Sequence, residues 1–228
     1  MTKYCYENIE SILRKINIMY KKIIHFGANG TNCYSEKFVL DHNFNCLFCD
    51  SNKEKMHIAM EYYKAHKKLN LVTFVNGLIT PDNVLTILDA MPKFKNNIDL
   101  LIITLKGNDY WILKKILDVN IIKPRIIMIE YIKIMGPEYS IAVPYDIDFD
   151  SREYNTNYYG ASLKAYVKLL KEYNYDFIGY NIIDSYGFFL NKIESAINNI
   201  NIIENLEECF DARQSIDLKL RHFYWVNV

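Results

Sequence analysis

The sequence predicts a doubly wound α/β fold: a mostly parallel sheet with helices on both faces. Two observations predict it. Strand-like and helix-like runs alternate from Lys22 onward, and two of the strand-like runs, "DLLIIT" (99–104) and "PRIIMIEY" (124–131), are continuously apolar, as strands covered on both faces are. In chain order, "KIIHF" (22–26) reads as a strand and "YSEKFVLDH" (34–42) has helical spacing. "NCLFCD" (45–50) is the second strand, and "KEKMHIAMEYYKAHKKL" (53–69) an amphipathic helix with Met56, Ile58–Met60 and Tyr63 as its apolar surface. "NLVTFVN" (70–76) is the third strand. "TPDNVLTILDAM" (80–91) carries a helix start, with Thr80 as N-cap, Pro81 at the first helical position and Asp82 in the first turn.

"NDYWILKKILD" (108–118) is the helix between the two covered strands, and "ASLKAYVKLLKEY" (161–173) a further strong one. "YDFIGYNII" (175–183) and "YGFFLNK" (186–192) read as a hairpin of strands. Residues 132–158 are irregular, with Gly136–Pro137 and Pro144, and are too long for an idle connection. They are expected to form a lid or substrate loop. Residues 1–21 hold an N-terminal helix, and 193–228 form a C-terminal extension ending in "RHFYWVNV". No repeat, low-complexity tract or linker divides the chain, so one domain over 1–228 is expected.

Composition narrows the partners. Lys+Arg and Asp+Glu are both 27, for a formal charge of +0, which offers no global field to steer nucleic acid or a membrane surface. No run approaches the roughly 18 apolar residues of a membrane span, and the charged N-terminus lacks a secretory apolar core. A cytoplasmic protein is the expectation. The five cysteines give no disulfide framework. Cys46 and Cys49, in "CLFC", lie on a strand, where positions three apart face opposite ways. No second ligand pair is spaced for zinc, so no metal site is expected.

In doubly wound sheets, ligands bind at the carboxyl ends of the strands, near the point where strand order reverses. After the first strand come His25, Gly27, Asn29 and Gly30, where paired glycines suit close approach to a nucleotide-like ligand or an ordinary tight turn. After the second, Asp50 suits either a ribose diol or a helix N-terminus. After the third, Asn76 and Gly77 could border an adenine. After the fourth come Thr104, Lys106, Gly107 and Asp109. After the fifth come Glu130 and Tyr131, then "GPEYSIAVPYD" (136–146) with Tyr145 and Asp146. A carboxylate ending an apolar strand, as Glu130 does, requires partners or a raised pKa. It marks either a working site or a salt bridge to Lys106 or Arg125.

The segments "IIHFGANG", "LITPDNV", "DLLIITLKGNDYW", "PRIIMIEY", "GPEYSIAVPYD", "YYGASLKAYVKLLKEYNYDFIGYN" and "FFLNK" give the chain its resemblance. From about Lys22 to Lys192 it resembles the class I S-adenosylmethionine-dependent methyltransferases, within them FkbM-like small-molecule and sugar O-methyltransferases. The resemblance implies a Rossmann-like, seven-stranded sheet with an antiparallel terminal strand. It implies S-adenosylmethionine over Gly27, Asn29 and Gly30, with Asp50 at the ribose, Asn76 and Gly77 at the adenine and Thr104 below. Substrate would meet Lys106, Asp109, Glu130, Tyr131, Tyr145 and Asp146.

The sequence departs from that family at His25, where an acid usually ends the first strand, and at Asn29, where Asp is common. Glu usually stands near Cys49. After the fourth strand, Thr104 and Lys106 replace two acids, while "GNDYW" (107–111) remains. Thr104 cannot replace a charged ligand and Lys106 would repel a metal, so a metal-assisted mechanism is not expected there. Two readings follow. In one, a methyltransferase uses His25 or Glu130 as base, with Lys106 orienting the substrate or itself serving as base. In the other, the fold persists as a non-catalytic regulatory or scaffolding partner, of itself or of an active paralogue. Base stacking on "KLRHFYW" (219–225) is a third idea, and core packing or dimer contact is the expected use of those aromatics.

Overall fold

The computed structural model describes residues 9–17, 19–28, 30–154, 158–181, 185–210 and 223–228. Its helices and strands run in the order α1 (Ile9–Lys15), β1 (Lys22–Phe26), α2 (Tyr34–His42), β2 (Asn45–Asp50), α3 (Lys53–Ala65), β3 (Val72–Asn76), α4 (Val84–Asp89), β4 (Leu100–Ile103) and α5 (Asp109–Val119). There follow β5 (Ile126–Glu130), β6 (Ile141–Ala142), α6 (Leu163–Glu172), β7 (Tyr175–Asn181), β8 (Tyr186–Asn191), α7 (Lys192–Ile197) and β9 (Val226–Asn227).

Seven strands form one sheet in the order β3-β2-β1-β4-β5-β8-β7, and β6 pairs with β9 in a second, two-stranded sheet. The first five are parallel, while β8 runs antiparallel to both β5 and β7. This is the Rossmann-like sheet of the methyltransferase fold. The antiparallel strand comes last of the seven in the chain but enters the sheet between β5 and β7, so β7 takes the edge. β8 returns antiparallel beside β7, and its other side pairs with β5.

The sheet is doubly wound because its strands are apolar on both faces. Along β2, Cys46 and Phe48 join one core with α1, α2 and α3, through Ile12, Phe38 and Met56 among others. Leu47 and Cys49 join the opposite core with α4, α5 and α6, through Leu88, Leu113 and Leu169. The two thiols of "CLFC" therefore face opposite sides and are both buried. In α3 the buried residues are Met56, Ala59 and Tyr63, at spacings of three and four. Ile58 and Met60 fall off that stripe and are exposed, a correction to the broader apolar face expected for this helix.

The helix-start signature at Thr80 is found before α4. Thr80 accepts from the Asn83 N–H at 3.3 Å while its own N–H donates to Asn83 Oδ1 at 2.9 Å. This reciprocal pair is the capping box of a helix start, and the Val84 N–H donates to the Thr80 carbonyl at 3.0 Å, so Thr80 caps as expected, with one turn over 81–83 before the regular helix runs on from Val84. Below the sheet, Asp99 and Arg125, each just before a strand, bind α1 and its following turn (below). No described helix is long and apolar enough to cross a membrane.

Residues 132–158 are partly organised. β6 pairs with β9 and, with Ile132, Met135, Val143 and Tyr158, builds a small third core. Phe223 stacks on Tyr158 at 4.6 Å and Trp225 meets it edge-on at 4.7 Å. Two of the C-terminal aromatics thus pack against the lid, whereas Tyr224 is 72% exposed. Arg221 and His222 lie outside the described residues.

Candidate functional site

Strand order reverses between β1 and β4, and a cleft of about 1070 Å³ opens there, over the carboxyl ends of β1, β2, β4 and β5. Its walls include His25, Gly27, Asp50, Thr104, Lys106 and Glu130. One drug-sized ligand fills about 300–1,000 Å³, so the cleft can hold two small molecules together.

The floor is set by close approach of two segments of the backbone. Gly27 has φ +82°, and a Cβ there would lie 2.3 Å from the Thr104 carbonyl oxygen, so no other residue fits without shifting β4. Gly30 is likewise constrained, its hypothetical Cβ 2.3 Å from the Ala59 Cβ of α3. Asn29, expected beside them, lies outside the described residues.

His25 and Thr104 join in a neutral relay. The Thr104 hydroxyl lies 3.2 Å from the Gly27 carbonyl, to which it can only donate, and 3.2 Å from His25 Nε2. It therefore accepts the Nε2 proton, and His25 Nδ1 accepts from the Ser35 hydroxyl at 2.8 Å. Burial pushes the imidazole pKa down to about 3. With both nitrogens engaged and almost no basicity, His25 is unsuited to the role of base. Ser35, on α2, is the partner that sequence reading missed. Thr104→Val keeps the shape but leaves a buried Nε2–H unpaired. It should cost about 1–3 kcal/mol in urea unfolding, and a neutral result would contradict this tautomer.

The loop after β4 is held by Asp109. Its carboxylate accepts from the N–H of Leu105 at 2.8 Å and of Gly107 at 2.7 Å. Between them Lys106 takes φ +55°. Asn108 binds the Asp146 carbonyl at 2.7 Å, and the Trp111 indole binds the Val143 carbonyl at 2.8 Å. The "GNDYW" block thus fastens the β4 loop and the lid to each other. Asp109 is buried and turned inward, and burial raises its pKa despite those N–H donors. Its expected contact with substrate is replaced by this structural one.

Glu130 ends β5 and is 7% exposed. Its Oε1 accepts from the Tyr159 hydroxyl at 3.1 Å and faces Lys106 Nζ at 3.6 Å. The Lys106 ammonium also lies 5.7 Å above the Tyr159 ring, a cation–π contact. Burial raises the Glu130 pKa, and Lys106 only partly opposes it. Oε2 has no hydrogen-bond partner among the described residues, which leaves it open to the cleft. Of the two salt-bridge partners considered from sequence, Lys106 is the one found; Arg125 binds Asp99 and Glu194 instead.

The other expected residues divide as follows. Asp50 lines the cleft, with Oδ1 accepting from the Asn52 N–H at 2.7 Å and Oδ2 uncommitted among the described residues. Asn76 and Gly77 bind the Asp50 carbonyl, each at 3.0 Å, behind the cleft wall, which is made by Leu78, Ile79 and Thr80. Tyr131 is buried in the core. Tyr145 reaches away to Asp82 at 2.8 Å, and Asp146 accepts the Asp148 N–H at 3.0 Å; neither lines the cleft. Sequence reading missed Phe149 and Tyr159, whose only signal was position within or just after the lid, and Tyr186, which opens β8. Among the described residues no three His, Cys, Asp or Glu side chains converge.

No family model and no curated protein matches the chain. Solved structures resemble it in part. The methyltransferase domain of a bacterial CtHen1-CN is 13% identical over 80% of this chain and 95% of that one, with a TM-score of 0.46. The O-methyltransferase TomG of Streptomyces achromogenes, solved with SAM, is 11% identical over 79% and 76%, with a TM-score of 0.45. An O-methyltransferase family protein from Burkholderia thailandensis is 10% identical over 79% and 55%, at 0.46. Likeness of this degree assigns no role to any residue here, so chemistry has to come from the cleft itself.

Proposed function

We propose that the chain is an S-adenosylmethionine-dependent O-methyltransferase acting on a small-molecule or sugar hydroxyl. The observation that carries the reading is Glu130: a buried carboxylate with a raised pKa, one oxygen held and the other open to a two-ligand cleft. Structural carboxylates bury both oxygens against partners; a base needs one free.

The residues present fit the cofactor. Asp50 has an uncommitted oxygen at the second strand's end, suited to a ribose diol. Leu78 and Ile79 give an apolar wall for an adenine, and the Gly27 turn with neutral Thr104 leaves the floor free of bulk and charge. When bound, the cofactor supplies an electrophilic methyl group. The chain's part is to hold the acceptor hydroxyl against Glu130 Oε2, accept its proton there, and let Lys106 offset the charge that develops on oxygen.

The test is thermal unfolding with S-adenosylhomocysteine and S-adenosylmethionine, backed by calorimetric titration. Ligand at a hundred times its dissociation constant should add about 2.7 kcal/mol, which for a chain of this size raises Tm by roughly 5–10 °C. No shift at millimolar ligand would overturn the reading and return the chain to the scaffolding alternative.

A further inference from the structure

The formal charge of +0 is a sum over two unlike ends of the molecule. The connections at the carboxyl ends of the strands carry Asp82, Glu138, Asp146, Asp148, Asp150 and Glu153 against Lys106, Lys133 and Arg152. At the opposite, amino end the balance reverses. Lys67 precedes β3, Lys21 precedes β1, Lys93 precedes β4 and Lys123 precedes β5. Lys192 follows the antiparallel β8 and so falls at the same end. All five are exposed, and none makes an ion pair among the described residues. Taken in sheet order they form a row from β3 to β8, about 24 Å long at the usual strand spacing. Three acids at this end are spent, Asp99 and Glu194 on Arg125 and Asp89 on Lys95. Asp41 and Glu172, near the ends of α2 and α6, stay exposed and only trim the excess.

The same end exposes large apolar side chains. Ile193 and Ile197, one helical turn apart on α7, are each 70% exposed, and Met19, before β1, is 61% exposed. Leu69, before β3, and Val119, which ends α5, are exposed as well. Arg125 binds both Glu194 of α7 and the Asn17 carbonyl, so α7 and the turn carrying Met19 lie side by side. Apolar side chains gathered on a surface among charges mark an interaction site. Nucleic acid favours arginine forks and aromatic rings for stacking. Here each free base in the row is a lysine, Arg125 is buried, and the exposed apolar residues are aliphatic apart from Tyr20. Lysine point charges for headgroups and aliphatic side chains for the acyl boundary are what an anionic lipid surface takes.

We propose that the amino end of the sheet docks on an anionic lipid surface, the lysine row at the headgroups and Met19, Ile193 and Ile197 entering the acyl boundary. The lysine stems can lie along those apolar side chains while their ammonium groups stay at the headgroups. Docked this way, the cleft at the other end of the strands faces water, and its acidic rim points away from the like charge of the lipid. The proposal stands independently of the methyl-transfer reading.

The experiment sediments the whole chain with vesicles of equimolar phosphatidylcholine and phosphatidylserine, and with vesicles of phosphatidylcholine alone, at low and at physiological salt. The expected result is partition onto the first and not the second, weakening as salt rises. A lysine near such a surface is worth roughly fivefold in partition, so Lys93→Ala combined with Lys123→Ala should weaken it by about tenfold or more. Ile193→Ser combined with Ile197→Ser should weaken it by about tenfold while leaving its salt dependence in place. Both pairs are exposed, so each variant should keep the wild-type Tm. Absence of partition at low salt would overturn the proposal, as would equal partition onto phosphatidylcholine alone or partition unchanged in either variant. Tighter binding of a single-stranded oligonucleotide than of the anionic vesicles would overturn it too, and assign the face to nucleic acid.

Discussion

Replacing Arg125 by alanine lowers the unfolding free energy by about 3–5 kcal/mol, the usual cost of orphaning a buried charge network. The guanidinium donates through Nε and Nη2 to both oxygens of Glu194, each at 2.8 Å, and through Nη1 to Asp99 at 3.1 Å. It also donates to the carbonyls of Ile16 at 2.8 Å and Asn17 at 3.0 Å, in the turn that follows α1. Asp99, fully buried, accepts in addition from the N–H of Tyr20 at 3.0 Å. One side chain thus ties the N-terminal helix, the start of β4 and α7 together beneath the sheet. Domains hold about 5–15 kcal/mol in total, so the variant should be marginal in urea at room temperature. Arg125→Lys keeps the charge without the fork and should fall between the two. The same network predicts acid sensitivity. Hydrogen bonding to Arg125 holds the Glu194 pKa below its ordinary 4.5, so its stabilisation is present above 4.5 and is lost as pH falls through the lower, folded value. Arg125→Ala should lose that acid-dependent slope. A loss under about 1 kcal/mol would mean that water replaces the network.

How much of this was legible in the sequence depends on the range of the physics involved. α2 and β2 occupy the spans read from sequence, because helical spacing and a short apolar run are local properties. The cap of α4 was legible too, because Thr80 and Asn83 bond reciprocally as a capping box, again a local property, although the regular helix itself runs only from Val84. Glu130 and Lys106 were visible as candidates since a strand's carboxyl end is itself a sequence feature. The role of His25 was not: its basicity is set by burial, and its ring is held by Ser35 and by Thr104, the latter 79 residues away. Likewise Asp109 looked like a pocket acid, but the loop it caps folds back on it. The "GNDYW" block, which remains where the two acids are lost, has its explanation in its bonds to the lid.

Glu130→Gln should separate the two uses of a buried carboxylate most sharply. If Glu130 takes the acceptor's proton, transfer falls by about 10²–10⁴-fold, with S-adenosylhomocysteine affinity unchanged. Wild-type activity should rise with pH through an inflection above 4.5, since burial raises this group's pKa and the base must be ionised. The stability effect runs the other way from Glu194. A carboxyl whose folded pKa is raised keeps its full stabilisation only below the unfolded value and loses it as pH rises through the folded one. At neutral pH the ionised form therefore costs stability, Lys106 at 3.6 Å offsetting only part of it. Glutamine removes the charge while its carbonyl can still accept from Tyr159, so Tm at neutral pH should rise as activity disappears. Urea unfolding of the pair at acid and neutral pH measures this, and the two proteins should converge in acid. A stability loss above about 1 kcal/mol at neutral pH would mean that the ion pair with Lys106 is what Glu130 is for, and the base would have to be sought elsewhere in the cleft.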